Sequence, residues 1–522
     1  MEREAKLTAR AGLAVPDLHG LLGGMEVGPA TVRHLDALYY DTADLRLARA
    51  GATLRCRTGE PGPAWALKLP GTTSGATLAR SEIVVDGPSS LVPATLLDLV
   101  RVYARGEPVV AVARLQTART VLGIGDESGK PLVELVDDTV TAVMETDAAR
   151  SSGCPAHAQF REIELELEVD SARARRLLRK AVDRLVAAGF QPDPPLPKVV
   201  RALGSAARLP PDVAPPPPVD AGATASQLVG AALARSVAQL VRCDPGLRLG
   251  EDVEAVHQFR VAVRRLRSDL RTFGAVLDQR WAAALRADLR WLAGAVGAVR
   301  DDDVLIERLQ NQIAALPKSD RPAAAPLLQL LDRRRETHRH VLLTTVRSAR
   351  YDALLDTLVE MTQSPASAVR SGEGAVPAAG LHLVRRPWRQ LAARAGRLGG
   401  HPSDHALHEV RILAKRCRYA AEAMAPLCGR PARRFAAAMA DVQTLLGDHQ
   451  DAVIAETWLR TAALSLGTDP TTTATLSEAA RTAATLCAGE LILVQRTERA
   501  AIRSAWPATW DAASSSKLRS WM

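Results

Sequence analysis

Arg161-Glu162-Ile163-Glu164-Leu165-Glu166-Leu167-Glu168-Val169 alternates acidic and aliphatic residues without a break. In a strand, successive side chains point to opposite faces, so Glu162, Glu164, Glu166 and Glu168 share one face and Ile163, Leu165, Leu167 and Val169 the other. The aliphatic face must be buried, which leaves a row of carboxylates on the opposite side. Other runs place charges two apart in the same way: Arg55 with Arg57, Arg80 with Glu82, and Glu2, Glu4 and Lys6 in Met1-Glu2-Arg3-Glu4-Ala5-Lys6. A closed barrel with an apolar outer shell under helices and a charged lumen accommodates all of these strands. An apolar-filled barrel would leave the charges uncompensated.

Outward from that strand, β-type runs lie at Ala37–Asp41, Thr53–Arg57, Ala64–Leu69, Arg80–Val85, Thr117–Ile124 and Pro131–Val136, with helical segments around Ser90–Arg105 and Ser171–Ala188. The stretch Arg208–Gln227, with Pro210, Pro211 and Pro215 to Pro218, reads as an extended spacer. Beyond it, apolar residues recur at helical spacing almost throughout, with a polar break at Ser364–Gly380. The fold class is therefore α+β. An N-terminal antiparallel β-barrel domain is expected over 1–205, a Pro-rich linker over 206–226 and an all-α domain over 227–515, the last in halves of about 227–363 and 381–515.

The formal net charge of +9 favours a polyanionic partner: nucleic acid, an anionic membrane or polyphosphate. Aromatic residues make up 3% of the chain and no familiar nucleic-acid recognition motif occurs, which places nucleic acid last. No apolar window approaches the roughly 20 residues of a membrane span, and the N-terminus has no basic and then apolar signal segment. The six cysteines lack the paired spacing of zinc sites or disulfide frameworks. A cytoplasmic protein with reduced thiols is expected.

Glu2, Glu4 and Lys6 put two carboxylates and an amine side by side. Carboxylates hold a hard cation such as Mg²⁺ or Mn²⁺, and the ammonium takes phosphate charge that the metal leaves uncompensated. Alone this motif reads as a solvated edge strand; the company it keeps changes that. Glu2-x-Glu4-x-Lys6, Leu54-Arg55-Cys56-Arg57, Ala66-Leu67-Lys68-Leu69-Pro70, Arg80-Ser81-Glu82, Arg119, Glu134 with Asp138, Glu164-Leu165-Glu166 and Pro197-Lys198-Val199-Val200-Arg201 resemble, in order, the motifs of the CYTH family of triphosphate tunnel metalloenzymes. The resemblance implies an eight-stranded antiparallel tunnel that hydrolyses tripolyphosphate or a nucleoside triphosphate with a divalent metal. It implies Glu2, Glu4, Glu164 and Glu166 as metal ligands, with Glu2, Glu4 and Lys6 as the catalytic motif. It implies Lys6, Arg55, Arg57, Lys68, Arg80, Arg119 and Lys198 as triphosphate contacts. Glu162 and Glu168 are expected to project past the tunnel mouth into solvent. Arg114, an odd number of residues from Arg119, cannot share its face on an unbroken strand.

In the helical region Val256-His257-Gln258-Phe259-Arg260-Val261-Ala262-Val263-Arg264-Arg265-Leu266-Arg267 aligns with Leu407-His408-Glu409-Val410-Arg411-Ile412-Leu413-Ala414-Lys415-Arg416-Cys417-Arg418 at a constant shift of 151 residues (408 minus 257). Further on, Gly297 to Asp301 answers Gly447 to Asp451 at a shift of 150 (447 minus 297). On a helix, His257, Arg260, Arg264, Arg267 and Arg271 fall within an arc of roughly 80°. Such a stripe of like charges destabilises a helix unless a polyanion faces it. From Leu381 to Phe435, twelve Arg or Lys against three Asp or Glu concentrate the positive charge. The repeat resembles the CHAD domain over about 225–515. That resemblance implies two pseudo-symmetric four-helix bundles whose basic groove binds inorganic polyphosphate through His257, Arg260, Arg264, Arg265, Arg267, His408, Arg411, Lys415, Arg416 and Arg418. His449 does not recur at the aligned Val299 and is given no role.

Together these readings predict a hydrolase acting on phosphoanhydride bonds of inorganic triphosphate, joined to a module that holds long-chain polyphosphate or polyphosphate granules. The rivals are a polyphosphate-docking protein with a degenerate tunnel and a nucleotide-acting enzyme of the same tunnel family, such as an adenylate cyclase.

Overall fold

The structure, a computed structural model, describes all residues except 1–3, 11, 60–63, 75–76, 80–81, 127–129, 146–155, 194–195, 221–222, 251, 366–379 and 469–475. The chain divides into two compact units, Met1–Asp212 and Val213–Met522. The first is built on an antiparallel sheet and the second is helical, an α+β protein as expected.

In the first unit the strands are β1 Glu4–Thr8, β2 Glu26–Val27, β3 Thr31–Asp41, β4 Thr53–Thr58, β5 Trp65–Lys68, β6 Thr72–Ser74, β7 Thr77–Ala79, β8 Glu82–Val85, β9 Val110–Gly125, β10 Pro131–Met144, β11 His157–Leu167 and β12 Gln191–Pro192. The helices are α1 Arg46–Ala50, α2 Ala94–Ala104, α3 Ala172–Ala187 and α4 Lys198–Leu203. The sheet runs β12-β1-β11-β10-β9-β3-β4-β5-β8, with β2 on β9 and a separate β6-β7 hairpin. The expected count of eight strands is thus approximate. Closure of the sheet by pairing of its two end strands is not seen among the described residues.

The alternation in β11 sorts this unit into layers. Ile163 and Leu165 join Leu7, Val133 and Leu135 against Leu177, Ala181 and Leu185 of α3, which forms an apolar cover on one face. Ser171 starts α3 by accepting a hydrogen bond from the Ala174 amide. The opposite face is charged over most of its length but apolar at one end, where Tyr39, Leu115, Val140 and Ala142 pack against Val199, Val200 and Leu203 of α4. This places the N-terminus of α4, and with it Lys198, at the edge of the charges.

The second unit contains α5 Ala225–Leu249, α6 Val253–Thr272, α7 Gln279–Ala315, α8 Ala325–Val346, α9 Ala349–Gln363, α10 Gly380–Ala395, α11 Asp404–Thr468 and α12 Glu478–Ala513. The backbone of Gly429 (φ 65°, ψ −140°) divides α11 into two helices, a conformation in which only glycine is unstrained. The repeated motifs therefore lie on α6 and the first part of α11, and the glycine blocks on α7 and the second part of α11. Each repeat contributes four such helices, with α9 in addition. Their cores are not separate: Leu305 and Leu309 of α7, Leu331 of α8, Leu459 and Leu466 of α11 and Leu491 of α12 form one cluster drawn from both halves.

Among the described residues, no helix is long and apolar enough to cross a membrane. The described cysteines are all unpaired.

Candidate functional site

Strand register aligns the charges of the first unit on one face. Lys6 lies opposite Glu164 and Glu4 opposite Glu166 between β1 and β11. Glu134 of β10 lies opposite Glu166, and Asp138 opposite Glu162. Arg119 of β9 is opposite both Asp138 and Arg33. Directly opposed residues share a face, so this face carries acids on β1, β11 and β10 and cations on β3, β4, β5 and β9.

At the α4 end the charges are tightly paired. Lys198 Nζ lies 2.8 Å from Glu164, 2.9 Å from Glu162 and 2.9 Å from Asp138. Lys6 pairs with Glu164 and is 3.8 Å from Glu162. Arg119 grips Asp138 through Nε and Nη2, at 2.9 and 2.8 Å. Burial alone would raise the Glu164 carboxyl, but Lys198 and Lys6 outweigh it and hold it well below the usual carboxylate range. Burial would likewise lower the Lys198 ammonium, yet Glu164, Glu162 and Asp138 raise it above the ordinary lysine value.

Glu162, expected in solvent, is 2% exposed. Alternation identified its face but not its depth: α4 covers this end of the strand, and both Lys198 and Arg201 reach Glu162. Glu168 is exposed as expected. Arg114 points away from the charged face and pairs with Asp36 on an exposed surface.

On the other side of the face, Arg55 and Lys68 share one acid, Glu82, at 3.5 and 3.4 Å. Arg57 is half-buried two residues along β4. Glu2 and Arg80 lie outside the described residues, and of Glu4 only the backbone is described. Arg33, Glu82 and Arg201 belong to this constellation without having been assigned a role from sequence; Arg33 sits in a run with no clean alternation to mark it.

Glu166 of β11 and Glu134 of β10, directly opposed, are of the type whose oxygens a hard divalent cation takes. Among the described residues, no three His, Cys, Asp or Glu side chains converge as a complete metal site.

In the second unit, the basic stripes of α6 and α11 meet. The charges acting on Lys415 are those of Arg411, Arg264 and Arg260, opposed by Asp451; burial first, then these cations, push its ammonium down to about 7. Burial and neighbouring arginines also lower Arg264 and Arg411. His257 is lowered by burial and by Arg300, and His408 by burial and by Arg411 and Lys415, so both are neutral near pH 7. Tyr419 lies between the helices with the guanidiniums of Arg264, Arg418 and Arg265 at 5.6, 5.8 and 5.9 Å from its ring centre. Its hydroxyl is buried and has no hydrogen-bond partner.

The glycine blocks of the repeat receive the motif arginines. Arg260 donates to the Gly297 carbonyl at 2.9 Å and pairs with Asp301 at 3.0 Å. A Cβ on Gly297 would come within 2.8 Å of the Arg260 guanidinium; at Gly447, Arg411 would be 3.8 Å away. Asp301 and Asp451 thus act as counter-charges to the stripe. His449 is buried beside Asp404. Arg267 and Arg416 lie apart from the Lys415 cluster, with Arg271.

The CYTH domain family model matches residues 1–188 and the CHAD domain family model residues 231–460. Two uncharacterised proteins of Mycobacterium tuberculosis, from strains CDC 1551 / Oshkosh and ATCC 25618 / H37Rv, are each 34% identical over 478 residues, covering 90% of this chain and 90% of the relative. Among solved structures, the CHAD domain of the plant Ricinus communis is 28% identical with a TM-score of 0.46, covering 57% of this chain and 97% of that one. PptA from Streptomyces chartreusis is 24% identical with a TM-score of 0.44, covering 55% and 100%. With both family models matched in sequence and full-length relatives collinear over nine-tenths of it, the chain belongs to the proteins in which a CYTH domain is followed by a CHAD domain.

Proposed function

We propose that the first unit hydrolyses the terminal phosphoanhydride of a triphosphate, inorganic tripolyphosphate before ATP, and that the second unit binds long-chain inorganic polyphosphate. The observation that carries the reading is the meeting of Arg260, Arg264, Arg411 and Lys415 with too little counter-charge; burial first, and then these cations, push Lys415 down to about 7. A condensed phosphate, with one negative charge per unit along a flexible chain, is the ligand that relieves this repulsion.

In the first unit, Arg55, Arg57, Lys68 and Arg119 would surround the phosphate oxygens, with Arg80 and Lys6 completing the set. Glu164 pairs with both Lys6 and Lys198 and holds them in place. Glu2, Glu4 and Glu166 would hold Mg²⁺ or Mn²⁺, with Glu164, already paired to two lysines, as the fourth acid. When bound, such an ion supplies charge neutralisation and a more acidic water. Water attacks the terminal phosphorus in line, the bridging P–O bond breaks, and the arginines stabilise charge on the departing diphosphate.

The test is phosphate release from tripolyphosphate and ATP with Mg²⁺, Mn²⁺ or EDTA, beside Glu4→Gln. Metal-dependent turnover that collapses in Glu4→Gln supports the reading. Cyclic nucleotide from ATP would indicate a cyclase. No turnover on either substrate, with polyphosphate binding retained, would leave a docking protein.

A further inference from the structure

The two halves of the second unit match at their histidines and arginines but not at one charge. The shift of 151 residues that carries Arg265 onto Arg416 and Arg267 onto Arg418 carries Arg271 onto Glu422. Glu422 lies 2.8 Å from Arg265 of the opposite half and 2.8 Å from Arg418 one turn earlier on its own helix. It therefore neutralises two arginines at once. At the symmetry-related place stands Arg271, and the arginines it faces are the counterparts of those two: Arg416 across the interface and Arg267 one turn earlier.

An ion-paired corner on one side is thus replaced by an all-arginine corner on the other. The strongest charges acting on Arg271, an exposed residue, are those of Arg416, Arg267, Arg286 and Arg290, all of one sign. Arg267 in turn feels Arg290. None of these five makes an ion pair among the described residues, and Arg416 Nε is buried without a hydrogen-bond partner. Arg286 and Arg290 lie on α7, outside the repeated motif. With a shift of 150 or 151 residues, the positions answering them hold Ala436 or Ala437 and Ala440 or Asp441, so neither arginine recurs at its aligned position in the second half.

We propose that Arg267, Arg271, Arg286, Arg290 and Arg416 form a second anion locus that takes the condensed-phosphate chain as it leaves the central site, on one side only. This rests on the polyphosphate reading of the second unit. Arg264 and Arg271 are two turns apart on α6, about 10 Å, so a chain of several phosphate units reaches from one locus to the other. Glu422 closes the opposite side to a polyanion, so the bound chain runs off the central site in a single direction. The gain from the second locus is one of avidity, and it appears only with chains long enough to engage both.

The experiment measures binding of long-chain polyphosphate to the full chain in EDTA over a range of salt. It compares Arg271→Glu, which copies the opposite corner, Arg286→Ala/Arg290→Ala, and the central variant Arg264→Ala/Lys415→Ala. Circular dichroism establishes that each is folded. We expect Arg271→Glu and the double alanine variant each to weaken binding about tenfold, and to make it less sensitive to salt because fewer phosphate charges are neutralised by arginine. Wild-type affinity in both, with the central variant weakened, overturns the second locus and leaves the polyphosphate reading standing. Unweakened binding in the central variant, or no binding by the wild type, overturns that reading and this proposal with it.

Discussion

The guanidinium of Arg264 on α6 lies 5.6 Å from the ring centre of Tyr419 on α11, and this contact joins the two repeats at the centre of the basic site. The ring lets guanidiniums approach one another by offering each a π face. Tyr419→Ala should therefore destabilise the second unit by about 3–5 kcal/mol, the usual cost of emptying a buried aromatic site. Tyr419→Phe should leave the melting temperature unchanged, since the hydroxyl has no partner to lose. If that hydroxyl donates to bound phosphate, Phe lowers polyphosphate affinity by about 1 kcal/mol. Thermal melts and titrations of both variants separate ring from hydroxyl.

Lys415 should make polyphosphate binding depend on pH. Its ammonium loses a proton as pH rises above about 7 in the folded protein, while an unfolded lysine keeps it to about 10.4. Folding stability contributed by this group therefore rises with pH between those limits. Polyphosphate affinity should move the other way, falling as pH rises from 7 to 9.5, because a polyanion favours the charged form. Calorimetry at pH 8 in buffers of different ionisation heat should show proton uptake on binding. Lys415→Arg should abolish both the uptake and the pH slope. Both histidines titrate below this window.

Gly297 and Gly447 should respond differently to alanine. Each substitution favours its helix by up to about 1 kcal/mol. At Gly447 the new methyl meets Arg411 at ordinary contact distance, so the protein should gain stability and bind polyphosphate unchanged. At Gly297 it displaces Arg260 from the position it holds on the carbonyl, 2.9 Å away. Gly297→Ala should weaken binding several-fold without loss of fold. Equal affinities for the two variants would show that Arg260 does not depend on this seat.

In the first unit, Lys198→Met leaves Glu162, Glu164 and Asp138 facing one another without their shared cation. The expected loss is about 3–5 kcal/mol, as for removal of one partner from a buried ionic group. Acid should act on the same cluster. Because Glu164 is held below its unfolded value, its contribution is complete above about pH 4.3 and is lost as pH falls below that. Chemical denaturation between pH 3 and 7, wild type against Glu164→Gln, measures this contribution, and parallel profiles would refute it.

The charged face of the first unit was legible in the sequence because a strand has period two: Glu164, Arg55 and Arg119 had only one face to share once Ile163 and Leu165 were buried. Depth was not legible. Glu162 has the same alternation as Glu168, and only α4, held on the sheet by Val199 and Leu203, distinguishes buried from solvated. Strand lengths were underestimated for a related reason: β9 and β10 continue through Arg114 and Thr141, where one face meets solvent and the apolar signal thins. In the second unit the repeat disclosed which helices matter. It could not disclose that Arg260 needs Gly297 or that Glu422 neutralises Arg265, since both are contacts between helices far apart in sequence.

The core common to Leu305, Leu331, Leu459 and Leu491 has a consequence for how the repeats depend on each other. One repeat expressed alone would expose these leucines and could cover them only with a second copy of itself, as an isologous homodimer. In a homodimer every substitution appears twice, so an arginine at position 271 would also replace the glutamate that closes the far corner. Tandem fusion removes that constraint. It lets the duplicate keep Glu422 while the original carries Arg271, and a surface that symmetry would have made identical at both ends acquires a polarity.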